Sequence, residues 1–241
     1  MGIMVGNEIR YLEERIGVNV KKENPSQLLS KKYTVKEEIA NGITHGLGVL
    51  FGIVSLIVLL VLSIRKGDNI SIVAFSIYGA CLTLMYLSST LYHSIPNERA
   101  KGILRVFDHS SIFLFIAGTY TPIALLTMTG ALRICILVAV WSIAVFGVVF
   151  KIFTFGKFDR FKALSLVLYI GMGWIAVFTV KPIIRMTSIG FFMWILGGGL
   201  LYTLGTIFYS IKKIPYHHAI WHLFVLAASV LHFVGILIYL A

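Results

Sequence analysis

Beyond residue 36 the chain reads as long apolar runs cut by short polar breaks. Seven runs fall at about 37–64, 70–94, 107–128, 131–153, 161–183, 188–210 and 216–240. A helix of about 20 apolar residues crosses the roughly 30 Å hydrocarbon core of a bilayer. Each run therefore predicts one membrane-spanning helix. The breaks carry turn formers: Lys66-Gly67-Asp68-Asn69, Pro96-Asn97-Glu98-Arg99, Thr129-Gly130, Gly156-Lys157, Met186-Thr187 and Lys213-Ile214-Pro215. Strict apolar–polar alternation, the mark of a spanning β-barrel, is absent. The predicted class is an all-α membrane protein with a seven-helix domain at 37–241, preceded by a polar tail at 1–36.

Composition supports that reading. The 241 residues are 58% hydrophobic and 13% charged, with a mean hydropathy of +0.90. Lys and Arg outnumber Asp and Glu by 21 to 10. On a soluble domain this excess points to nucleic acid, but here the basic residues lie in tails and loops, where they orient spans. No nucleic-acid partner is expected. Sixteen of the 21 fall on the side of the N-terminus, which predicts a cytoplasmic N-terminus, an extracytoplasmic C-terminus and a multi-pass cell-membrane protein. In the tail, Val5, Ile9, Leu12 and Ile16 recur at near-helical spacing and predict a short interfacial helix. Cys81 and Cys135 lie inside apolar runs and read as free thiols. No cleavable signal peptide is visible. Glycines at 171, 173 and 197–199 predict close helix approach.

Polar residues inside the runs are few and are not scattered. Glu38, Asn41 and His45 share a face of the first run, at i, i+3 and i+7. Ser89 and His93 end the second run at i, i+4. Asp108 opens the third, and His218 and His222 open the seventh, again at i, i+4. The antiparallel order of the spans puts all of them in one leaflet. A hydrogen-bonded network tying helix ends together is one explanation. The other is a metal site. His93, His218 and His222 supply three imidazoles and no thiolate, and three ligands with one open position is the pattern of catalytic zinc. Zinc lowers the pKa of a bound water to about 7. Asp108 is placed to act on that water as general base, and Ser89 to hold it or to orient a substrate carbonyl. Glu38, Asn41 and His45 are expected to support the ligands. His217 points about 100° away from His218 and is left out. His232 lies about 15 Å deeper, too far to ligate, and is expected to meet Asn41, His45 or another polar group.

Taken together, Glu38-x-x-Asn41-x-x-x-His45, Ser88-Ser89-Thr90-Leu91-Tyr92-His93, Phe107-Asp108-His109-Ser110-Ser111, His218-x-x-x-His222 and Leu231-His232-Phe233 resemble the progestin and adipoQ receptor superfamily, in its bacterial branch labelled hemolysin III. That resemblance implies seven helices, an inside N-terminus, and a zinc ion near the cytosolic face held by His93, His218 and His222, with Asp108 and Ser89 at its water. One branch of the superfamily is associated with ceramide hydrolysis, and the bacterial branch with lipid homeostasis and a hemolysin label. The chain lacks the large N-terminal domain of the animal receptors, which argues against a hormone-receptor role. The leading expectation is a zinc-dependent hydrolase of a lipid amide or ester bond, with membrane lipid as substrate or ligand. The other expectations are a receptor or sensor of membrane composition with structural zinc, a cytolytic pore, and a metal transporter. The last needs ligands along its whole path, and the sequence offers no comparable set in the outer leaflet.

Overall fold

A computed structural model describes residues 33–241, so the interfacial helix expected near Val5–Ile16 lies outside the described residues. The described chain folds into α1 (Val35–Lys66), α2 (Asn69–Ser94), α3 (Glu98–Thr127), α4 (Gly130–Phe153), α5 (Lys162–Gly173), a 3-10 segment (Trp174–Thr179), α6 (Val180–Met186), α7 (Ile189–Ser210) and α8 (His217–Tyr239). Helices α5 and α6 with the 3-10 segment form one span, giving seven spans long and apolar enough to cross a membrane. The protein is a multi-pass membrane protein.

Local chemistry sets the helix ends. Thr34 caps α1 in a capping box, accepting from the Glu37 amide while Glu37 Oε2 accepts from the Thr34 amide at 2.9 Å. Gly67, at φ 67°, closes the same helix in the left-handed region that costs glycine no Cβ clash. Asp68 follows at once and accepts from the amides of Ile70 and Ser71, so α1 turns into α2 within two residues. Asn97 caps α3 through the Ala100 amide. This helix begins nine residues before the apolar run does, because the charged stretch Glu98–Val106 is helical without being apolar. Asp108 consequently lies about 15 Å along α3 rather than at its start.

The bundle inverts the pattern of a soluble protein. Along α1, Ile43, Leu47, Leu50, Val54, Ile57 and Val61 face outward to lipid, while Asn41, His45, Gly48, Gly52 and Ser55 face inward. Small inward residues let backbones approach, since apolar side chains gain nothing by leaving lipid. A Cβ on Gly48 would lie 2.2 Å from the Tyr86 ring, and one on Gly198 2.2 Å from the His232 ring. A Cβ on Gly171, Gly173 or Gly199 would meet nothing within 4 Å. The expectation of close approach therefore holds at Gly198 and fails at Gly171, Gly173 and Gly199.

Gly173 instead stands where the fifth span breaks into 3-10 geometry. Tyr120 of α3 repairs the break. Its hydroxyl donates to the Gly173 carbonyl at 2.6 Å and accepts from the Ala176 amide at 2.7 Å. Freed backbone groups at membrane depth require such partners. Lys151, near the end of the fourth run, is the last buried residue of α4. Its ammonium donates to Ser165 Oγ at 2.5 Å and faces the rings of Phe150, Phe158 and Tyr169.

Candidate metal centre

We call the face of the bundle where α1 begins the proximal face. The start of α1, the end of α2 and the start of α8 meet there, and the i, i+4 spacing of His218 and His222 sets both rings on one side of α8. His93, His218 and His222 are all buried, and one ring nitrogen from each lies within 4.8 Å of the other two. His93 sits on α2 and the pair on α8, so two elements distant in sequence supply the three nitrogens.

The hydrogen bonds around the rings decide which nitrogen carries the proton. Thr44 Oγ1 donates to the carbonyls of Ala40 and Asn41, at 2.9 and 3.0 Å. Its proton is thus committed, and only a lone pair remains for His222 Nδ1 at 3.1 Å. That arrangement assigns the proton of His222 to Nδ1. The Glu38 carboxylate makes the same assignment for His93, taking the Nδ1 proton at 2.5 Å. Nε2 of both rings is then a lone-pair acceptor. Both Nε2 atoms are buried, and neither has a hydrogen-bond partner among the described residues. Two lone pairs cannot bond each other, and burying them unpaired is costly. A metal ion would satisfy them. The donor set fits zinc, an imidazole-binding ion whose ligating histidines usually give their other N–H to a carboxylate or oxygen acceptor.

The supporting residues fall into place by contact. His45 stacks on His222, with ring centroids 3.5 Å apart and planes 21° apart, and meets the Tyr86 ring edge-on. Asn41 reaches His93 Nδ1 only at 3.5 Å, a marginal contact beside the Glu38 bond. Ser89 Oγ is buried with no partner among the described residues. Asp108 is almost wholly buried, with Oδ2 3.8 Å from His109 Nε2. His217 Nδ1 donates to the Phe208 carbonyl, away from the cluster. His232 Nε2 donates to the Ile195 carbonyl at 3.0 Å, with its ring against Gly198.

Three contributors escaped the sequence reading. Thr44 orients His222. Tyr33 covers the cluster, its ring 5.0 Å from His218 and 5.9 Å from both His93 and His217. Burial pushes its phenol well above its ordinary pKa, so it stays protonated. Lys101 pairs with the second oxygen of Glu38. A hydroxyl in the same turn as Asn41 was the available signal for Thr44. Tyr33 and Lys101 lie outside the apolar runs and gave none.

Beside the cluster opens a cavity of about 1610 Å³, including the part continuous with the outside. Asp108, His45 and His218 line its proximal end, and Ile183 and Phe192 its distal end. The wall between is mostly apolar, drawn from α3, the fifth span, α7 and α8. His232 lines it as well.

Comparison with known proteins agrees over nearly the whole described chain. The family model "Haemolysin-III related" matches residues 33–233. The chain is 50% identical over 207 residues to the hemolysin-3 homolog of Bacillus subtilis (strain 168), covering 86% of this chain and 96% of that protein. It is 44% identical over 206 residues to hemolysin-3 of Bacillus cereus, covering 85% and 92%. It is 32% identical over 217 residues to the human monocyte to macrophage differentiation factor, covering 87% of each. The chain belongs to the haemolysin-III-related family and, through it, to the progestin and adipoQ receptor superfamily.

Proposed function

We propose that the protein is a zinc-dependent hydrolase acting within the membrane on an amide or ester bond of a lipid. The observation that carries this reading is the buried cluster of His93, His218 and His222 beside a mostly apolar cavity that His218 and Asp108 line. His93, His218 and His222 would hold the ion, with Glu38 and Thr44 keeping two of the rings in the ligating tautomer. When bound, zinc supplies a Lewis acid for the substrate carbonyl and lowers the pKa of water at the site. Asp108 takes the proton of the water that attacks the carbonyl and returns it to the departing amine nitrogen or alkoxide oxygen. The Ser89 hydroxyl holds that water or steers the carbonyl. The apolar wall takes the lipid chain, and Tyr33 keeps bulk water off the ligands. On the charge pattern of the loops, the proximal face is cytoplasmic.

The test pairs metal content with turnover. Purified wild-type protein should carry zinc by elemental analysis, and His222→Ala should lose it. Asp108→Ala should keep zinc and lose hydrolysis of amide- and ester-linked lipids followed by mass spectrometry. Zinc-free wild type, or undiminished turnover by Asp108→Ala, sinks the proposal. The names of the Bacillus relatives favour a second reading, membrane lysis. Dye release from liposomes that persists in both variants would select it.

A further inference from the structure

We infer that Lys101 is a positioning residue of the metal centre, acting through Glu38 on His93. This rests on the metal-binding reading above. Glu38 has two carboxylate oxygens, and each has one use. Oε2 accepts the Nδ1 proton of His93, and Oε1 pairs with the Lys101 ammonium. A carboxylate held on Nδ1–H fixes the ring and makes Nε2 a stronger donor to a metal. The Glu38 side chain is only 18% exposed, so without a cation its charge is best solvated by turning outward, away from His93. Lys101 removes that incentive. Its own alternatives are limited too, because the ammonium lies 5.3 Å from the centre of the Tyr92 ring, next in sequence to His93.

The pairing also sets register. Lys101 is in the first turn of α3 and Asp108 is seven residues on, so both stand on one face of the helix about 10 Å apart. Tying Lys101 to Glu38 fixes the helix that carries Asp108 against the helix that carries Glu38. One surface-proximal ion pair thereby aligns a ligand and the residue proposed to move the proton. As an isolated pair, partly exposed, it would add little to stability. Its effect lies in where it holds Glu38.

The experiment is zinc affinity of the purified full chain in detergent, measured by competition with a chelator. The variants are Lys101→Met, Lys101→Arg, Glu38→Gln and the double variant Glu38→Gln/Lys101→Met. Removing an outer partner of a metal-bound histidine costs about 10–100-fold in affinity, which is the expected loss for Glu38→Gln. Lys101→Met should fall at the lower end, about tenfold, and Lys101→Arg should recover most of it. In the Glu38→Gln background Lys101→Met should have no further effect, because it acts only through that carboxylate. The zinc-free melting temperature should barely change, whereas a merely structural role would lower it and leave affinity alone. Unchanged affinity in Lys101→Met, additive losses in the double variant, or failure of Lys101→Arg to recover would overturn the inference while leaving zinc binding intact. Wild type that binds no zinc would overturn both.

Discussion

Thr44→Val isolates the assignment of the His222 proton. Valine keeps the shape of threonine and removes only the oxygen that accepts from His222 Nδ1 at 3.1 Å. The two carbonyls that Thr44 also serves, Ala40 and Asn41, belong to the helical ladder of α1, so their loss of a second partner costs little. The imidazole loses more. Its buried Nδ1–H is left without an acceptor, and the tautomer with the proton on Nε2 becomes competitive. Zinc must then displace that proton. Loss of such a partner weakens metal binding by about 10–100-fold, or about 1.4–2.7 kcal/mol. The stack of His45 on His222 still holds the plane of the ring. The loss should therefore fall near tenfold, about 1.4 kcal/mol. Chelator competition on purified protein measures it, with His222→Ala as the variant that loses the ion. A valine variant that binds zinc as tightly as wild type would mean that Nδ1 is not the protonated nitrogen, and the tautomer argument would fail.

Three further outcomes test the frame around the site. Gly48→Ala drives a methyl into the Tyr86 ring, which is fully buried and holds Ser229 at 2.8 Å, so thermal stability should drop by about 1–3 kcal/mol. Tyr120→Phe leaves the Gly173 carbonyl and Ala176 amide of the broken span without their bridge, at about 1–3 kcal/mol, read as faster hydrogen exchange around residues 173–176. The Ser71 hydroxyl and amide hold Asp68 below the ordinary carboxylate range. A depressed folded pKa means that the stabilisation is complete above about pH 4 and is lost as pH falls through the folded value. Asp68→Asn, which caps without titrating, should flatten that part of the acid dependence of the melting temperature measured between about pH 6 and about pH 3.

Run length made the seven spans legible, because twenty apolar residues in a row have few other uses. Several helix ends were legible from their caps, as at Gly67 and Asp68. The start of α3 was not, since Glu98–Val106 continues a helix past the apolar run and hydropathy cannot distinguish that from a loop. The 3-10 break at Trp174–Thr179 was also hidden, for the tyrosine that bridges it lies 53 residues before Gly173, in α3. Within the site, His93, Asp108, His218 and His222 stood out because ionisable groups in apolar runs are rare and costly. Thr44 did not, since a helical threonine ordinarily spends its hydroxyl on its own backbone. This one does so and still turns a lone pair to His222.

That habit of hydroxyls marks the proximal face as different from the rest of the bundle. Thr83, Thr90, Thr119 and Thr127 each donate to the carbonyl four residues back, so their polarity is settled inside one helix. Elsewhere the orphaned buried atoms come singly, as at Ser55 and Tyr78. Near the metal centre they gather: Asn41 Oδ1, both nitrogens of His45, Ser89 Oγ, and Nε2 of His93 and His222. A fold that settles its polar atoms locally almost everywhere has no packing reason to concentrate unpaired ones on a single face. Each costs free energy that a hydrophobic residue of the same size would not. A bound ion with its water would offset much of that cost, because the ion would take the lone pairs of the ligating imidazoles and the water would meet neighbouring polar atoms.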